Sequence, residues 1–260
     1  MRKHVDLEDR KILEPAGGTG EFINGFIRAG IKKENIVSVD IEPHHPLVKQ
    51  SNYLETTYNS SNFVSITNPP FGRASSLAKK FFNHGADHCD YICYLIPKAW
   101  RKWSTQNSLD KRFHLIADID MPADCFYLPG QEKKEKGVLQ TVFQIWEKRD
   151  YDRKKIAIPN HGLIKKIIPT VSPSGEKFVE GANYSIIAFG HSCGRCEEIS
   201  ESVVPYKTTT MYLNVQRQDV KDALPNLELA KYYNNVSYVQ ALSIQEINYE
   251  LNKKFGLDNS

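Results

Sequence analysis

Residues 65–72 read SITNPPFG. Two consecutive prolines exclude the middle of a helix or of a sheet strand, because proline lacks a backbone N–H and keeps the preceding residue out of the α region. The apolar run before them predicts a strand that ends at the prolines. An amide, Asn68, and an aromatic, Phe71, flank the pair. We therefore expect a rigid turn that holds a polar group and a stacking group at the end of a strand.

A second turn lies upstream, in residues 14–20, EPAGGTG. A strand leads into it from Lys11, and a helix follows, since apolar residues recur at helical spacing from Phe22 to Ile27 before Gly30. Glycines let a backbone approach a ligand closely, and a helix N-terminus offers free N–H groups. The glycine pattern alone is weak, because strand–helix turns also use glycine for packing.

Asp40 ends the next predicted strand, about twenty residues after the glycine turn. A carboxylate there accepts hydrogen bonds from both hydroxyls of a ribose, although a helix cap or a turn acid is the alternative. Together the turn and the acid suggest an adenosine-containing cofactor. They do not distinguish NAD from S-adenosylmethionine.

Strands continue to alternate with helices through residues 62–148, which indicates an α/β fold with a mostly parallel, doubly wound sheet. A helix is predicted in 75–85, a buried strand in 90–100, and two strands in 113–122 and 138–148 that are close enough to pair antiparallel. We place a domain boundary near Asp150, which gives domains 1–150 and 151–260. The second is expected to be a smaller α+β lobe, with short strands in 155–159, 163–168, 184–190 and 211–215 and a helix in 243–256.

Composition is that of an ordinary globular protein, with 40% hydrophobic and 25% charged residues among 260. No apolar run has membrane-spanning length and no leader is visible, so we expect a cytoplasmic or, in a eukaryote, nuclear protein that is neither secreted nor bound to a membrane. Five cysteines point to a reducing compartment. His191, Cys193 and Cys196 form half a zinc site without a second pair, and we predict no metal.

The net charge of +3 permits nucleic-acid binding without requiring it. Basic clusters occur in 131–137, in 147–155 and at Lys165 and Lys166. Solvated surface is the alternative interpretation of such runs.

The proline turn favours amine chemistry. The amide oxygen of Asn68 and a neighbouring carbonyl, held side by side, accept hydrogen bonds from both hydrogens of an exocyclic amine. Such acceptors stabilise the positive charge that develops when the amine attacks an electrophile. Phe71 offers a stacking face for a base, worth about 1–3 kcal/mol. The alternative is a rigid loop that only closes a strand.

With these residues in view, the chain resembles the class I S-adenosylmethionine-dependent methyltransferases of the amino-methylating kind, above all the N6-adenine methyltransferases whose cofactor motif precedes the catalytic one. The resemblance covers about residues 10–150 and is carried by NPPF (68–71), EPAGGTG (14–20), VSVDIEP (37–43) and NYLE (52–55). It implies a Rossmann-like, seven-stranded methyltransferase sheet and S-adenosylmethionine as cofactor.

The resemblance also implies roles for individual residues. Asn52 would meet the adenine amino group of the cofactor, and Tyr53 would pack on that ring. The cofactor set is Glu14, Ala16, Gly18, Gly20, Asp40, Ile41, Asn52 and Tyr53. The catalytic set is Asn68, Pro69, Pro70 and Phe71. For the substrate, the resemblance implies Phe126 or Tyr127 on the far side of the base. Trp100 and Lys98 join this set from their position at the end of the predicted buried strand, where Trp100 either lines the cleft or anchors a loop.

We therefore expect methylation of the N6 amine of adenine in DNA, with the base flipped into the NPPF pocket. RNA is the second candidate substrate and a protein glutamine is the third. A non-catalytic subunit that binds nucleic acid is the alternative class of function. Only about ten residues precede the first strand, so the usual helical cover over the cofactor is expected to be short or to come from the C-terminal lobe or a partner subunit. A homo-oligomer is left open. The lobe fits target recognition through Lys154, Lys155, Lys165, Lys166, Tyr184 and Arg195.

Overall fold

The computed structural model describes residues 4–7, 10–59, 62–122, 139–236 and 239–259. The chain divides into two compact units, Met1–Lys155 and Ile156–Ser260. This division lies five residues after the boundary predicted near Asp150. Arg153 accounts for the difference, because its guanidinium donates to the carbonyl oxygens of Phe113 and Leu109, at 3.1 and 2.9 Å, and so ties this segment to the first unit.

In the described part of the first unit, seven strands form one sheet. They are β1 Ile12–Glu14, β2 Ile36–Asp40, β3 Lys49–Gln50, β4 Phe63–Thr67, β5 Cys89–Pro97, β6 Phe113–Asp120 and β7 Thr141–Lys148. Their order across the sheet is β3-β2-β1-β4-β5-β7-β6. β1 pairs in parallel with β2 and β4, whereas β7 is antiparallel to β5 and β6. The predicted mostly parallel, seven-stranded sheet is confirmed, and so is the antiparallel pairing of its last two strands.

Helices cover both faces of this sheet. They are α1 Glu21–Arg28, α2 Ser76–Gly85 and the short α3 Trp103–Gln106. Val64 and Ile66 point to the α1 face, where they pack with Phe26, because side chains alternate along a strand. Phe63 and its neighbours pack on the opposite face against Phe82 of α2. Strand β4 is therefore buried on both sides, which explains its continuous apolar sequence.

The second unit contains two small antiparallel sheets and three helices among its described residues. Its strands are β8 Lys165–Ile167, β9 Thr170–Val171, β10 Lys177–Glu180, β11 Tyr184–Ile187, β12 Cys196–Glu198, β13 Val203–Pro205 and β14 Thr210–Asn214; its helices are α4 Gln218–Ala223, α5 Ala230–Tyr233 and α6 Ile244–Lys254. The predicted α+β lobe is confirmed. No helix in the described ranges is long and apolar enough to cross a membrane.

The strand predicted in residues 155–159 is wrong, because these residues are described and form no strand. The segment is held instead by a side chain of α6, since Asn252 Nδ2 donates to the carbonyl oxygen of Pro159 at 3.0 Å. Pro159 has no N–H to donate to a neighbouring strand, and the hydrogen bond from Asn252 fixes the segment without sheet pairing.

We expect Phe82→Ala to lower the free energy of unfolding of the first unit by about 3–5 kcal/mol, because the ring is fully buried and its removal leaves a cavity. The matched control is Lys80→Ala on the exposed face of the same helix, with an effect within about 0.5 kcal/mol. All three tryptophans, Trp100, Trp103 and Trp146, lie in the first unit, so tryptophan fluorescence during urea unfolding reports this unit alone. Equal losses in the two variants would contradict the assignment of the core.

Candidate functional site

The candidate site lies at the carboxyl ends of the central parallel strands. The strand order reverses between β1 and β4, and open α/β sheets bind ligands in the crevice outside such a reversal. Parallel pairing of β1 with β2 and with β4 brings Glu14, Asp40 and Thr67 to this same edge. The two turns singled out in the sequence are therefore neighbours.

The glycine turn is built around close contacts. A Cβ on Gly17 would lie 2.2 Å from Ser38 Oγ, and one on Gly20 would lie 2.4 Å from the ring of His45, so neither position accepts a side chain without rearrangement. Gly18 and Gly20 adopt positive φ, at 44° and 81°. Among the described residues, a Cβ on Gly18 would have only Asp40 Oδ2 within 4 Å. The Cα of Gly18 is thus sterically open to a ligand, while its N–H donates to Asp40 and its carbonyl oxygen accepts from the N–H of His44.

Asp40 joins this turn to the end of β2. Its Oδ2 accepts from the N–H of Gly18 at 2.8 Å, and its Oδ1 accepts from the N–H of Glu42 at 2.9 Å. Each carboxylate oxygen has a second lone pair, so Asp40 can still accept from a ligand hydroxyl. The next residue, Ile41, is 71% exposed, which is unusual for a large apolar side chain beside a turn. Asp40 and Ile41 stay predictions as cofactor contacts.

Glu14 is the most unusual group of the site. It is 1% exposed, and its Oε1 accepts from Thr67 Oγ1 at 2.6 Å. Its other oxygen, Oε2, is buried and has no hydrogen-bond partner in the described part of the chain. Burial raises the pKa of this carboxyl well above its usual range, against the lowering effect of the Thr67 hydrogen bond and with a further increase from the charge of Asp40.

The proline turn presents one buried acceptor. Asn68 Oδ1 is buried without a hydrogen-bond partner among the described residues, directly after β4. Pro69 is buried and Pro70 is exposed, while Phe71 is half-buried against the α2 face of the core. The carbonyl oxygen of Phe71 accepts from the N–H of Leu77, at 3.1 Å, which ties the turn to α2.

Strained backbone follows the prolines. Gly72, Ala74 and Ser75 have φ of 66°, 50° and 57°. For a residue with a Cβ, this conformation costs about 1–2 kcal/mol. Such strain persists only where surrounding structure imposes it, and it clusters at functional sites.

Two residues of the NYLE segment have structural roles. Asn52 Oδ1 accepts from the N–H of Leu54 at 3.2 Å and caps a short 3₁₀ turn, Tyr53–Glu55. Tyr53 is 1% exposed, its hydroxyl bonds to His88 Nε2 at 3.1 Å, and its ring packs against Phe81. The prediction that the Tyr53 ring packs on the cofactor is wrong, since this side chain belongs to the core. Asn52 stays a prediction.

The predicted substrate residues do not share one environment. Trp100 is fully buried and packs against Phe82, so it anchors the loop after β5, and the prediction that it lines the cleft is wrong. Lys98 lies at the site edge, but its ammonium is paired with Asp120 at 3.4 Å. Phe126 and Tyr127 lie outside the described residues.

Two of the residues predicted to recognise the target, Tyr184 and Arg195, have other roles in the second unit. Tyr184 is 3% exposed and belongs to the core, which makes its predicted role wrong. Arg195 is paired with Glu197 at 2.7 Å. Lys and Arg number 24 in the first unit against 20 Asp and Glu, but 10 against 11 in the second. The positive charge of the chain therefore belongs to the unit that carries the proline turn.

The half zinc site is part of a turn. The thiol of Cys196 donates to the carbonyl oxygen of Gly194 at 3.4 Å, and burial raises its pKa to about 11. Cys193 is buried in the core of the second unit. Within the described ranges, no group of three or more His, Cys, Asp and Glu is placed to hold a metal ion.

Thr67 is the site residue that sequence reasoning missed. It lies inside the SITNPPFG stretch, yet its partner Glu14 is 53 residues away. Only the pairing of β1 with β4 brings the two together, and no local pattern marks that contact.

Comparisons with known proteins found no matching family model and no matching curated protein. Among solved structures, the chain is similar to a protein proposed to be an RNA methyltransferase from Pyrococcus horikoshii, with 17% identity over 55% of this chain and 77% of that one and a TM-score of 0.42. It is also similar to the 23S rRNA methyltransferase ErmE (13% identity, 55% and 63%, TM-score 0.38) and to a proposed methyltransferase from Thermoplasma acidophilum (11%, 54% and 69%, TM-score 0.36). Because these TM-scores lie below 0.5, the function rests on the residues of the site.

The raised pKa of Glu14 predicts a pH-dependent stability. The Glu14 carboxyl of the unfolded chain has an ordinary pKa of about 4.3, so the folded chain holds the proton of this carboxyl more tightly than the unfolded chain does. The free energy of unfolding therefore falls as pH rises from that value through the folded pKa. We expect Glu14→Gln to remove this fall, so that at pH 7 the variant unfolds at higher urea concentration than wild type.

The measurement is tryptophan fluorescence during urea unfolding between pH 4 and pH 8. The control is Glu34→Gln at an exposed position, which should follow wild type throughout. A Glu14→Gln variant that parallels wild type at every pH would contradict a raised pKa of the buried Glu14 carboxyl.

Proposed function

We propose that this chain transfers a methyl group from S-adenosylmethionine to the N6 amine of adenine in DNA. The observation that carries the proposal is Asn68 Oδ1, a buried acceptor without a partner among the described residues, at the end of β4. An unsatisfied buried acceptor costs about 1–3 kcal/mol, so its retention fits a ligand donor such as an amine hydrogen. RNA and protein glutamine present the same donor, and the experiment below distinguishes them.

The residues at the reversal of strand order between β1 and β4 fit the cofactor. Glu14 Oε2 is a buried acceptor whose carboxyl suits an ammonium group, and the Cα of Gly18 is sterically open to a ligand. Asp40 would accept from the ribose hydroxyls, and the exposed Ile41 would cover the adenine ring. When bound, S-adenosylmethionine supplies a methyl group that is already electrophilic, because it is carried on a sulfonium.

The proline turn would prepare the amine. The lone pair of an exocyclic amine is delocalised into its ring, so the amine is a weak nucleophile. Asn68 Oδ1 and the carbonyl oxygen of Pro69 would accept its two hydrogens, favour a pyramidal nitrogen and stabilise the positive charge that develops during attack. Phe71 would stack on the base and fix its plane.

Nucleic acid as the substrate class is supported by charge. The excess of Lys and Arg lies in the first unit, which carries the turn. A base in a duplex does not reach a half-buried aromatic, so the target base would be flipped at a cost of a few kcal/mol. A role of the second unit in target recognition stays a prediction.

The test is methyl transfer from radiolabelled S-adenosylmethionine to unmethylated duplex DNA, single-stranded DNA, total RNA and a protein extract. We expect label in DNA, and we expect Asn68→Ala to lower kcat by at least about 100-fold, the usual cost of removing one preorganised dipole at a developing charge. Asn68→Asp keeps an acceptor oxygen and should retain more transfer than Asn68→Ala.

The matched control is Asn226→Ala, an exposed asparagine of the second unit, which should transfer like wild type. Binding of S-adenosylhomocysteine to Asn68→Ala should stay within about twofold of wild type, because Asn68 acts on the amine. Label in RNA or in protein would contradict DNA as the substrate. No transfer to any acceptor would favour a non-catalytic subunit.

A further inference from the structure

We propose that Thr67 is a positioning residue for the cofactor, whose hydroxyl orients the Glu14 carboxyl so that its second oxygen meets the cofactor ammonium group. This inference rests on the proposed function, because it takes S-adenosylmethionine as the ligand. It adds a residue that lies between the cofactor motif and the catalytic turn.

The contact is short and buried at both ends. Thr67 is fully buried and Glu14 is 1% exposed, and their Oγ1 and Oε1 atoms lie 2.6 Å apart. This distance lies at the short end of the range for a hydrogen bond between a hydroxyl and a carboxyl oxygen, about 2.5–3.0 Å. Such a bond fixes one carboxylate oxygen and thereby the direction of the other.

The remaining oxygen is the reason to assign a ligand. A carboxylate whose sole role is to join β1 to β4 would not need a second acceptor buried without a partner, since that atom is costly. Two apolar side chains would join the strands at lower cost. An ammonium group brought by the cofactor would satisfy Glu14 Oε2 with both hydrogen bonding and charge.

Thr67 also influences the charge of Glu14. Its hydrogen bond lowers the pKa of the carboxyl, whereas burial and the charge of Asp40 on β2 raise that pKa. Tyr94 on β5 is another titratable group whose charge is coupled to Glu14. Removing the Thr67 hydroxyl should therefore keep Glu14 protonated to a higher pH and weaken its attraction for a cation.

The experiment measures binding by calorimetry, with Thr67→Val as the near-isosteric variant without a hydroxyl. We expect S-adenosylhomocysteine, which carries the ammonium group, to bind about 10- to 100-fold more weakly, as for a lost hydrogen bond to a charged group. Thr67→Ser should restore affinity to within about threefold of wild type. Methylthioadenosine, which lacks the amino-acid end, should bind wild type and Thr67→Val equally.

Two further readouts separate positioning from a general structural role. The affinity for S-adenosylhomocysteine should fall as the solution is acidified through the pKa of Glu14, and this fall should begin at higher pH in Thr67→Val. In a Glu14→Gln background, Thr67→Val should change affinity by no more than about twofold. The matched control, Thr141→Val, replaces another buried threonine of the same sheet and should leave affinity unchanged.

Unchanged affinity in Thr67→Val, or an equal loss for methylthioadenosine, would overturn the role of Thr67 while leaving the proposed function intact. Failure of wild type to bind S-adenosylhomocysteine would overturn the proposed function and this inference with it.

Discussion

The parallel pairing of β1 with β4 is the constraint on which the site depends. The register sets Ile12 opposite Val64 and Leu13 opposite Ser65, so both strands end together at the reversal of strand order. Glu14 and Thr67 meet there across 2.6 Å, and Asn68 follows at once. A shift of one residue would turn every side chain of β4 to the other face and would bury Thr67 elsewhere. The apolar residues on both faces of β4 hold this register.

Six buried side-chain polar atoms lack a hydrogen-bond partner in the described chain, and two of them, Glu14 Oε2 and Asn68 Oδ1, directly flank this reversal of strand order. An unpaired buried acceptor costs free energy, and the left-handed backbone of Ala74 and Ser75 adds to that cost. An ammonium cation is complementary to Glu14 Oε2, and an amine hydrogen is complementary to Asn68 Oδ1. The core beneath, with Phe82 and Trp146 fully buried, supplies the rigidity that lets these polar groups keep fixed positions.

Sequence patterns predicted the parts of this arrangement that are local. Helical spacing predicted α1 and α2, and the glycine and proline turns predicted the two halves of the site. β3 was missed, because Lys49–Gln50 is short and exposed and carries no apolar signal. Tyr53 was misassigned and Trp100 was left between two roles, because an aromatic beside a polar residue has the same pattern whether it covers a ligand or fills a core. The Glu14–Thr67 contact depends on strand pairing across 53 residues, which no local pattern encodes.

The position of the transferred methyl group tests the central claim most directly. Duplex DNA would be incubated with the wild-type chain and S-adenosylmethionine, digested to nucleosides and analysed by mass spectrometry against standards. The acceptors at Asn68 and Pro69 predict N6-methyladenine as the product, with ring carbons unmodified. A methyl group on C5 of cytosine would contradict an amine held by the proline turn.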